Sequence, residues 1–408
     1  MRTVTAEVAA AAVAALPPSP RIVVSGNVAT PWHVVRAIDA AVPEFTLFAL
    51  NAQPGVPTRE GVALETCFVG PGMRHLPNLR YVPSRLSLAP VLFRRTLPPD
   101  VVVVHTSSPR DGTVSLGIEV NLLPAAMEAA RSRGGILIAQ SNPAMPYTYG
   151  DGVYPLTDFD YVVEVDQPWD AVAAPPLDDC SRQIGLRVAS MVDDGSTLQM
   201  GIGAVPDAAL QQLGTRRGLR IWSEMFSDGI LHLDSEGALD PDAPLVASFL
   251  FGSPELYRWV DRNPRVRVKR TEKVNDPSII SKNPSLVSVN SALQVDLFGQ
   301  ANASRINGRI YSGFGGQNDF IVGAMHSPGG RALIALRSWH PRANVSTIVP
   351  MIDEPVTSFQ HSAVVTEHGV AEIWGHSQTA QARHLIEQAA HPDVRDELWE
   401  EADALGLT

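Results

Sequence analysis

The sequence predicts an α/β protein made of two units with mostly parallel sheets, and three observations carry that reading. Short β-branched runs alternate with helical patterns along the chain, which is the signature of strand–helix–strand units. The run DVVVVHTSS (100–108) contains four consecutive valines, which suits a strand covered on both faces in a parallel sheet. A proline pair within AVAAPPLDDC (171–180) interrupts the alternation, which then resumes.

The elements follow in order. AEVAAAAVAALPPSP (6–20) reads as a short N-terminal helix rather than a secretory leader. Its apolar residues are mostly alanine, Glu7 stands at its head and only Arg2 precedes it as a basic residue. Pro17 and Pro18 end it, because proline lacks the donor and clashes with the preceding turn. RIVVSG (21–26) is a strand running into a glycine turn, and PWHVVRAIDAAV (31–42) is a helix. LPAAMEAARSRGG (123–135) is a helix with a glycine stop, followed by strands ILIAQSNP (136–143) and YVVEVD (161–166). The boundary falls near 178, giving domains 1–178 and 179–408. SRQIGLRVASMV (181–192) opens the second as a helix. TLQMGIG, LRIWSEM, LVSVNSALQVDLFG, ALIALRS, VSTIVPMID and HSAVVTEHG are then strand-like, and the tail from Ser377 is helical and charged.

Composition narrows the function. The 408 residues suffice for two domains, and 45% hydrophobic with 18% charged residues is ordinary for a globular core. No segment reaches the roughly 18 to 20 apolar residues of a membrane span. A net charge of −11 argues against nucleic acid and anionic membranes as partners. Two cysteines, Cys67 and Cys180, build no disulfide framework, and a cytoplasmic location is expected.

Four segments carry more glycine and polar punctuation than a plain core requires. TLQMGIGAVPDAAL (197–210) runs from a strand into Gly201-Ile202-Gly203 and a helix start at Pro206. Such a turn presents backbone N–H groups to an anion or carbonyl, though a bare tight turn has the same pattern. IWSEMFSDGILHL (221–233) places Glu224 at a strand end, where a carboxylate of an open sheet faces the ligand crevice; capping a turn or pairing with an arginine is the plainer role. In VNDPSIISKNPSLVSVNSALQVDLFGQANAS (274–304), Asn275-Asp276-Pro277 marks a helix start. Asn275 is there either a simple cap or a functional amide, and Asp296 with Gly299 is open to a purely structural reading. YSGFGGQNDF (311–320) has three glycines within four residues, as a flexible loop or as a site of close backbone approach.

In this order and spacing the four segments resemble the acetyl-CoA hydrolase/transferase family, which includes 4-hydroxybutyrate and succinyl-CoA:acetate CoA-transferases. The resemblance extends into VSTIVPMID (345–353) and VVTEHGVAEIWG (364–375), and in the first half into DVVVVHTSSPRDGTVSLGIEV (100–120), SNPAMPYTYGD (141–151) and YVVEVDQP (161–168). It implies two similar α/β domains with the active cleft between them. It implies that Glu224 is the nucleophile, and that Asn275 and Gly316 supply the oxyanion donors. The G-x-G turn that holds coenzyme A falls on Gly201, Ile202, Gly203, Ala204 and Val205. Leu293 and Ser312 would line the same cleft, and Asp228 with Gly229 would support the nucleophile's turn. The implied activity is transfer of CoA between a short-chain acyl-CoA and a free carboxylic acid through a glutamyl-CoA thioester, with acyl-CoA as substrate and no permanently bound cofactor. Family members often form homodimers.

Three departures from the family pattern bear on detail. Gln294 stands where glutamate is frequent, and Trp374 where a basic residue is common. HPRANVSTIVP (340–350) replaces a lysine-glycine segment, so that Arg342 would meet the CoA phosphates. RVRVKR (265–270) reads as a solvated strand face before it reads as a phosphate attractor. His340, His361 and His368 lack metal-ligand spacing, and no metal is expected. The alternatives are an acyl-CoA hydrolase using the same glutamate, with water as acceptor, and a non-enzymatic acyl-CoA-binding protein, against which the presence of Glu224 argues.

Overall fold

The computed structural model describes residues 1–408 apart from 170–176, 202 and 358–359. The chain groups into two compact units, Met1–Val172 with Pro244–Val274, and Ala173–Ala243 with Asn275–Thr408. The expected boundary near 178 thus lies a few residues inside the second unit. Residues 244–274, expected in the second domain, group with the first.

Unit one carries strands β1 (Arg2–Thr3), β2 (Arg21–Val24), β3 (Phe45–Ala49), β4 (Val62–Thr66), β5 (Leu79–Tyr81), β6 (Val101–Thr106), β7 (Ile136–Ser141) and β8 (Tyr161–Glu164). They form one sheet in the order β1-β8-β7-β6-β2-β3-β4-β5, with every pairing parallel. Val101 to Val104 are wholly buried, as a strand covered on both faces requires. Helix α1 (Ala6–Ala14) is capped by Thr5, whose hydroxyl accepts from the Val8 N–H, and it stops before the proline pair. Helix α2 (Trp32–Ala41) buries Val34, Val35 and Ile38, and α3 (Leu123–Arg131) follows. Strand order reverses between β6 and β2, the place where open parallel sheets leave a crevice.

Strands β3, β4 and β5 add to the elements expected from sequence. Charge obscures β4: Glu65 lies in it, buried, and is paired with Arg21 at 2.9 Å. RVRVKR is structural. Val266 and Val268 are buried in a strand, and Arg270 bonds Glu128 and Glu272.

Within unit two, β9 (Thr197–Met200), β10 (Arg220–Trp222), β11 (Leu286–Asn290), β12 (Arg331–Ala335), β13 (Ala363–Val365) and β14 (Val370–Glu372) run in the order β14-β13-β12-β11-β9-β10. Only the β13/β14 pairing is antiparallel among them. The helices that matter here are α4 (Asp179–Ser190), α5 (Ala204–Gln212), α6 (Gly229–Ser235), α7 (Pro277–Ile280) and α8 (Gln317–His326). LVSVNSALQVDLFG is not one strand. It breaks after Asn290, and Gln294–Asp296 pairs instead with Ile348–Val349 in a separate small sheet.

Candidate active site

Glu224 leaves the sheet two residues beyond β10. Buried Ser223 donates to the Met200 carbonyl at 3.2 Å, tying this turn to the end of β9. Met225 and Phe226 are buried immediately after, so the backbone is fixed on both sides of the carboxylate. Strands β9 and β11 are neighbours although β10 lies between them in sequence, so strand order reverses here as well.

Asn275 does not cap the helix that follows. Asp276 does, its carboxylate accepting from the Ser278 N–H at 2.8 Å. The Asn275 amide is therefore available for tertiary contact, and Nδ2 donates to Glu224 Oε2 at 2.9 Å. Asn275 is wholly buried, and its Oδ1 finds no hydrogen-bond partner among the described residues. A buried acceptor left unmet is costly, so the side chain is held there by what its donor end does.

Gly316 stands at the head of α8 with φ −96° and ψ 1°, a conformation open to any residue. Space is the reason for glycine. A Cβ added here would lie 1.7 Å from Glu224 Oε2 and 2.2 Å from Asn275 Nδ2. The Gly316 backbone lies beside the Glu224 carboxylate and its N–H helps to lower that group's pKa. A second close approach sets the distance between the two donors: a Cβ on Gly323 of α8 would meet Ile280 of α7 at 2.4 Å. Glycine at 323 thus lets the helix after Asn275 pack tightly on the helix headed by Gly316.

The electrostatics oppose one another. Glu224 as a whole residue is half-buried, but its carboxylate lies against Gly316 and Asn275, and desolvation pushes its pKa up to about 7. The Asn275 donor lowers it, the buried carboxylate of Asp319 on the first turn of α8 raises it, and the Gly316 N–H lowers it. Both protonation states are then populated near neutrality. A carboxylate held by a fixed amide donor, with a backbone N–H beside it, can act as a nucleophile whose developing oxyanion is already solvated.

Other expected site residues are placed less directly. Gly201 follows β9, and Gly203 is the N-cap of α5, with Ala204 and Val205 in its first turn. Space is open beside Gly201 and Gly203. Ile202 lies outside the described residues. Leu293 is half-buried and its N–H bonds the Asn302 carbonyl at 2.7 Å. The Ser312 hydroxyl donates to the Ala303 carbonyl at 2.8 Å. Gly229 opens α6 hard against Leu210 of α5, while Asp228 sits just before it without capping the helix. Arg342 is exposed in the turn between Trp339–His340 and Val345–Ser346, and no described contact brings it to Glu224. Gln294 accepts from Asn302 at 3.4 Å.

Asp319 is the charged neighbour of Glu224 that sequence reasoning missed. It lies inside the segment YSGFGGQNDF, three residues beyond Gly316, and its position at a helix start was the available signal.

Known proteins sharpen this picture. The acetyl-CoA hydrolase/transferase C-terminal domain is matched over residues 252–402. A 4-hydroxybutyrate coenzyme A transferase of Clostridium kluyveri is 39% identical over 333 residues, covering 79% of this chain and 76% of that protein. A succinyl-CoA:acetate/propanoyl-CoA:succinate CoA transferase of Fasciola hepatica is 36% identical over 333 residues, covering 78% and 68% respectively. Among solved structures, RipA from Yersinia pestis superposes with a TM-score of 0.93 at 28% identity, covering 100% of this chain and 98% of that one. With this identity sustained over more than three quarters of its length, the chain belongs to the acetyl-CoA hydrolase/transferase family.

Proposed function

We propose that this CoA-transferase moves CoA from a short-chain acyl-CoA to a free carboxylic acid through a thioester on Glu224. The observation that carries the reading is the Glu224 carboxylate held by Asn275 Nδ2 at 2.9 Å, with the Gly316 backbone close beside Oε2. Oε2 is the oxygen that Asn275 holds, which leaves Oε1 to attack.

Oε1 adds to the thioester carbonyl and CoA leaves as the thiolate, giving an acyl-glutamyl anhydride. The thiolate attacks Glu224 Cδ, the oxyanion forms at Oε2 between its donors, and the first acid departs as its carboxylate. Glutamyl-CoA remains. The second acid reverses the sequence: its carboxylate expels CoA thiolate, which then attacks the new acyl carbonyl and frees Glu224. Neither donor changes protonation, and each step exchanges one acyl bond for another. The Gly201 to Val205 turn, with open space beside it, takes part of CoA in this scheme, and Leu293 and Ser312 line the cleft. Arg342 has only its charge to support a phosphate contact. A cytoplasmic setting accords with the two free cysteines; among the described residues no helix is long and apolar enough to cross a membrane. A homodimer is the expected assembly.

Intact-mass spectrometry after exposure to acetyl-CoA without an acceptor tests the scheme. A CoA adduct should appear, map to the peptide containing Glu224 and be removed by hydroxylamine. An adduct on Cys67 or Cys180 defeats the assignment. A panel of acids then separates transfer from hydrolysis, since transfer yields new acyl-CoA species whereas water as acceptor yields only free CoA.

A further inference from the structure

Unit one has a trough of about 440 Å³ at the leading ends of β3, β4 and β5, within the range of small-molecule sites. Its lining includes Phe45, Val62 and Leu79, the first residues of these strands. The strands run parallel, and β3 carries the chain roughly 13 Å from the trough to its carboxyl end. The crevice of an open parallel sheet lies outside the carboxyl ends. The trough is therefore at the opposite end of this sheet.

Small residues make the trough. Register places Thr46 beside Ala63, and Phe48 beside Glu65 and Arg80, so these side chains share one face of the sheet. Phe48 is covered, because Phe93 meets it edge-on with ring centroids 5.0 Å apart. Toward the leading ends β4 offers this face only Ala63, with Gly61 just before it. Glycine is required at 61: its φ is 86°, and a Cβ there would lie 2.4 Å from the Pro43 carbonyl oxygen. Glu44 and Thr46 stand on one side of this low strip, Asn78 and Arg80 on the other.

The two sides carry opposite charges that do not meet. Glu44 accepts at Oε2 from the Ser19 hydroxyl at 3.1 Å, and no described residue bonds its Oε1. Arg80 stands opposite Glu65 in register, but Glu65 turns to Arg21, which donates to it at 2.9 and 3.4 Å across β3. Arg80 is left exposed, without a described partner. Phe45 pairs with Val62 and Leu64 with Leu79, which sets the backbones of Glu44 and Arg80 about 16 Å apart. Among the described residues no ion pair joins them.

We propose that this trough binds an ω-amino acid, its ammonium on Glu44, its methylene chain over Ala63 and its carboxylate on Arg80. An acidic and a basic side chain at opposite ends match a ligand with one charge of each sign and a spacer between them. The free oxygen of Glu44 takes an N–H donor, and the guanidinium fork takes both oxygens of a carboxylate. An α-amino acid, with both charged groups on one carbon, reaches one end only. A plain carboxylate leaves Glu44 unmatched, and a plain amine leaves Arg80 unmatched. Every lining residue belongs to unit one, and binding requires neither Glu224 nor CoA.

Ligand-observed NMR titration of the full chain without CoA tests this, with 6-aminohexanoate, hexanoate, hexylamine and glycine as probes. 6-Aminohexanoate should bind saturably and about tenfold or more tighter than each of the others. Glu44→Gln and Arg80→Gln should each weaken it by about tenfold or more. Both positions are exposed, so these variants retain the fold, and they should transfer CoA from acetyl-CoA at the wild-type rate. Hexanoate or hexylamine binding as tightly as 6-aminohexanoate overturns the proposal. Unchanged binding in either variant overturns it too, because the ligand then sits elsewhere, as an acid at the transfer site would. A protein that forms the Glu224 adduct but does not bind 6-aminohexanoate overturns this site alone. One that binds 6-aminohexanoate in the trough but forms no Glu224 adduct overturns the transfer scheme alone.

Discussion

Unit two holds two carboxylates in neighbourhoods of opposite design. Asp296 is wholly buried and fully occupied. One oxygen accepts from the Phe298 and Gln300 N–H groups at 3.1 and 2.8 Å, the other from Gln300 Nε2 and the Ile352 N–H at 3.0 and 3.1 Å. It fastens a turn to a distant loop and has no oxygen left over. Glu224 has the Asn275 donor on Oε2, a like charge nearby and, among the described residues, no hydrogen bond to Oε1. Desolvation raises the pKa of both. Burial and a raised pKa are therefore common to both carboxylates. The oxygen without a described partner is what sets Glu224 apart, as its proposed role as nucleophile requires.

Removing that oxygen should have the largest effect. Glu224→Gln keeps the size of the side chain but forms no anhydride, and transfer should fall on the order of 10⁴-fold or more. Its melting temperature should match or exceed the wild type, because a neutral amide escapes the desolvation that raises the carboxylate. Thermal melts alongside initial rates check both halves. A fully active variant would break the comparison at its centre.

Disturbing the donors should cost less. Asn275→Ala removes one oxyanion donor, and turnover should drop about a hundredfold or more with CoA affinity nearly unchanged, as expected of a group that matters most when the oxyanion forms. Gly316→Ala should lose at least as much, since its methyl would enter the space of Oε2. Steady-state kcat and KM with a separate CoA-binding measurement distinguish these outcomes. Intersecting rather than parallel initial-rate plots would reject the covalent scheme to which both predictions belong.

Much of this site was legible in sequence because its parts are local signatures. A glutamate at a strand end, an Asn-Asp-Pro helix start and a glycine-rich turn each imply a backbone arrangement. Which of Asn275 and Asp276 caps the helix was not legible, since either side chain can do it and only tertiary packing chooses. The glycines of the 313–316 turn hide a similar distinction. Gly313 and Gly315 adopt φ of 157° and 56°, whereas Gly316 at −96° is glycine for space. Sequence gives the same letter for both reasons. The parallel core was plain at Val101 to Val104 and less so at 45–81, where Thr46 and Glu65 interrupt the apolar pattern although both are buried. Arg342 misleads as well: its charge suited a role that its exposed turn does not join to Glu224.

The smallest effects concern proton balance, and they test the comparison most directly. With Glu224 raised to about 7, the free enzyme should lose transfer as pH falls, by about tenfold between pH 8 and pH 6, because only the ionised carboxylate attacks. Stability should move the other way. A carboxylate whose folded pKa is raised contributes most below its ordinary value of 4.5, and that contribution is lost as pH rises through about 7. Glu224→Gln should flatten this part of the stability curve. Asp319→Asn removes the like charge, so the acid limb of kcat/KM should shift downward and activity at pH 6 should rise by about two- to threefold. Asp296→Asn should leave that limb where it is while lowering stability by about 1–3 kcal/mol, since it disrupts acceptors for four buried donors. Profiles of kcat/KM against pH for the three proteins, with melts at each pH, decide the matter. A limb moved by Asp296→Asn and unmoved by Asp319→Asn would mean that the two carboxylates have been assigned each other's roles.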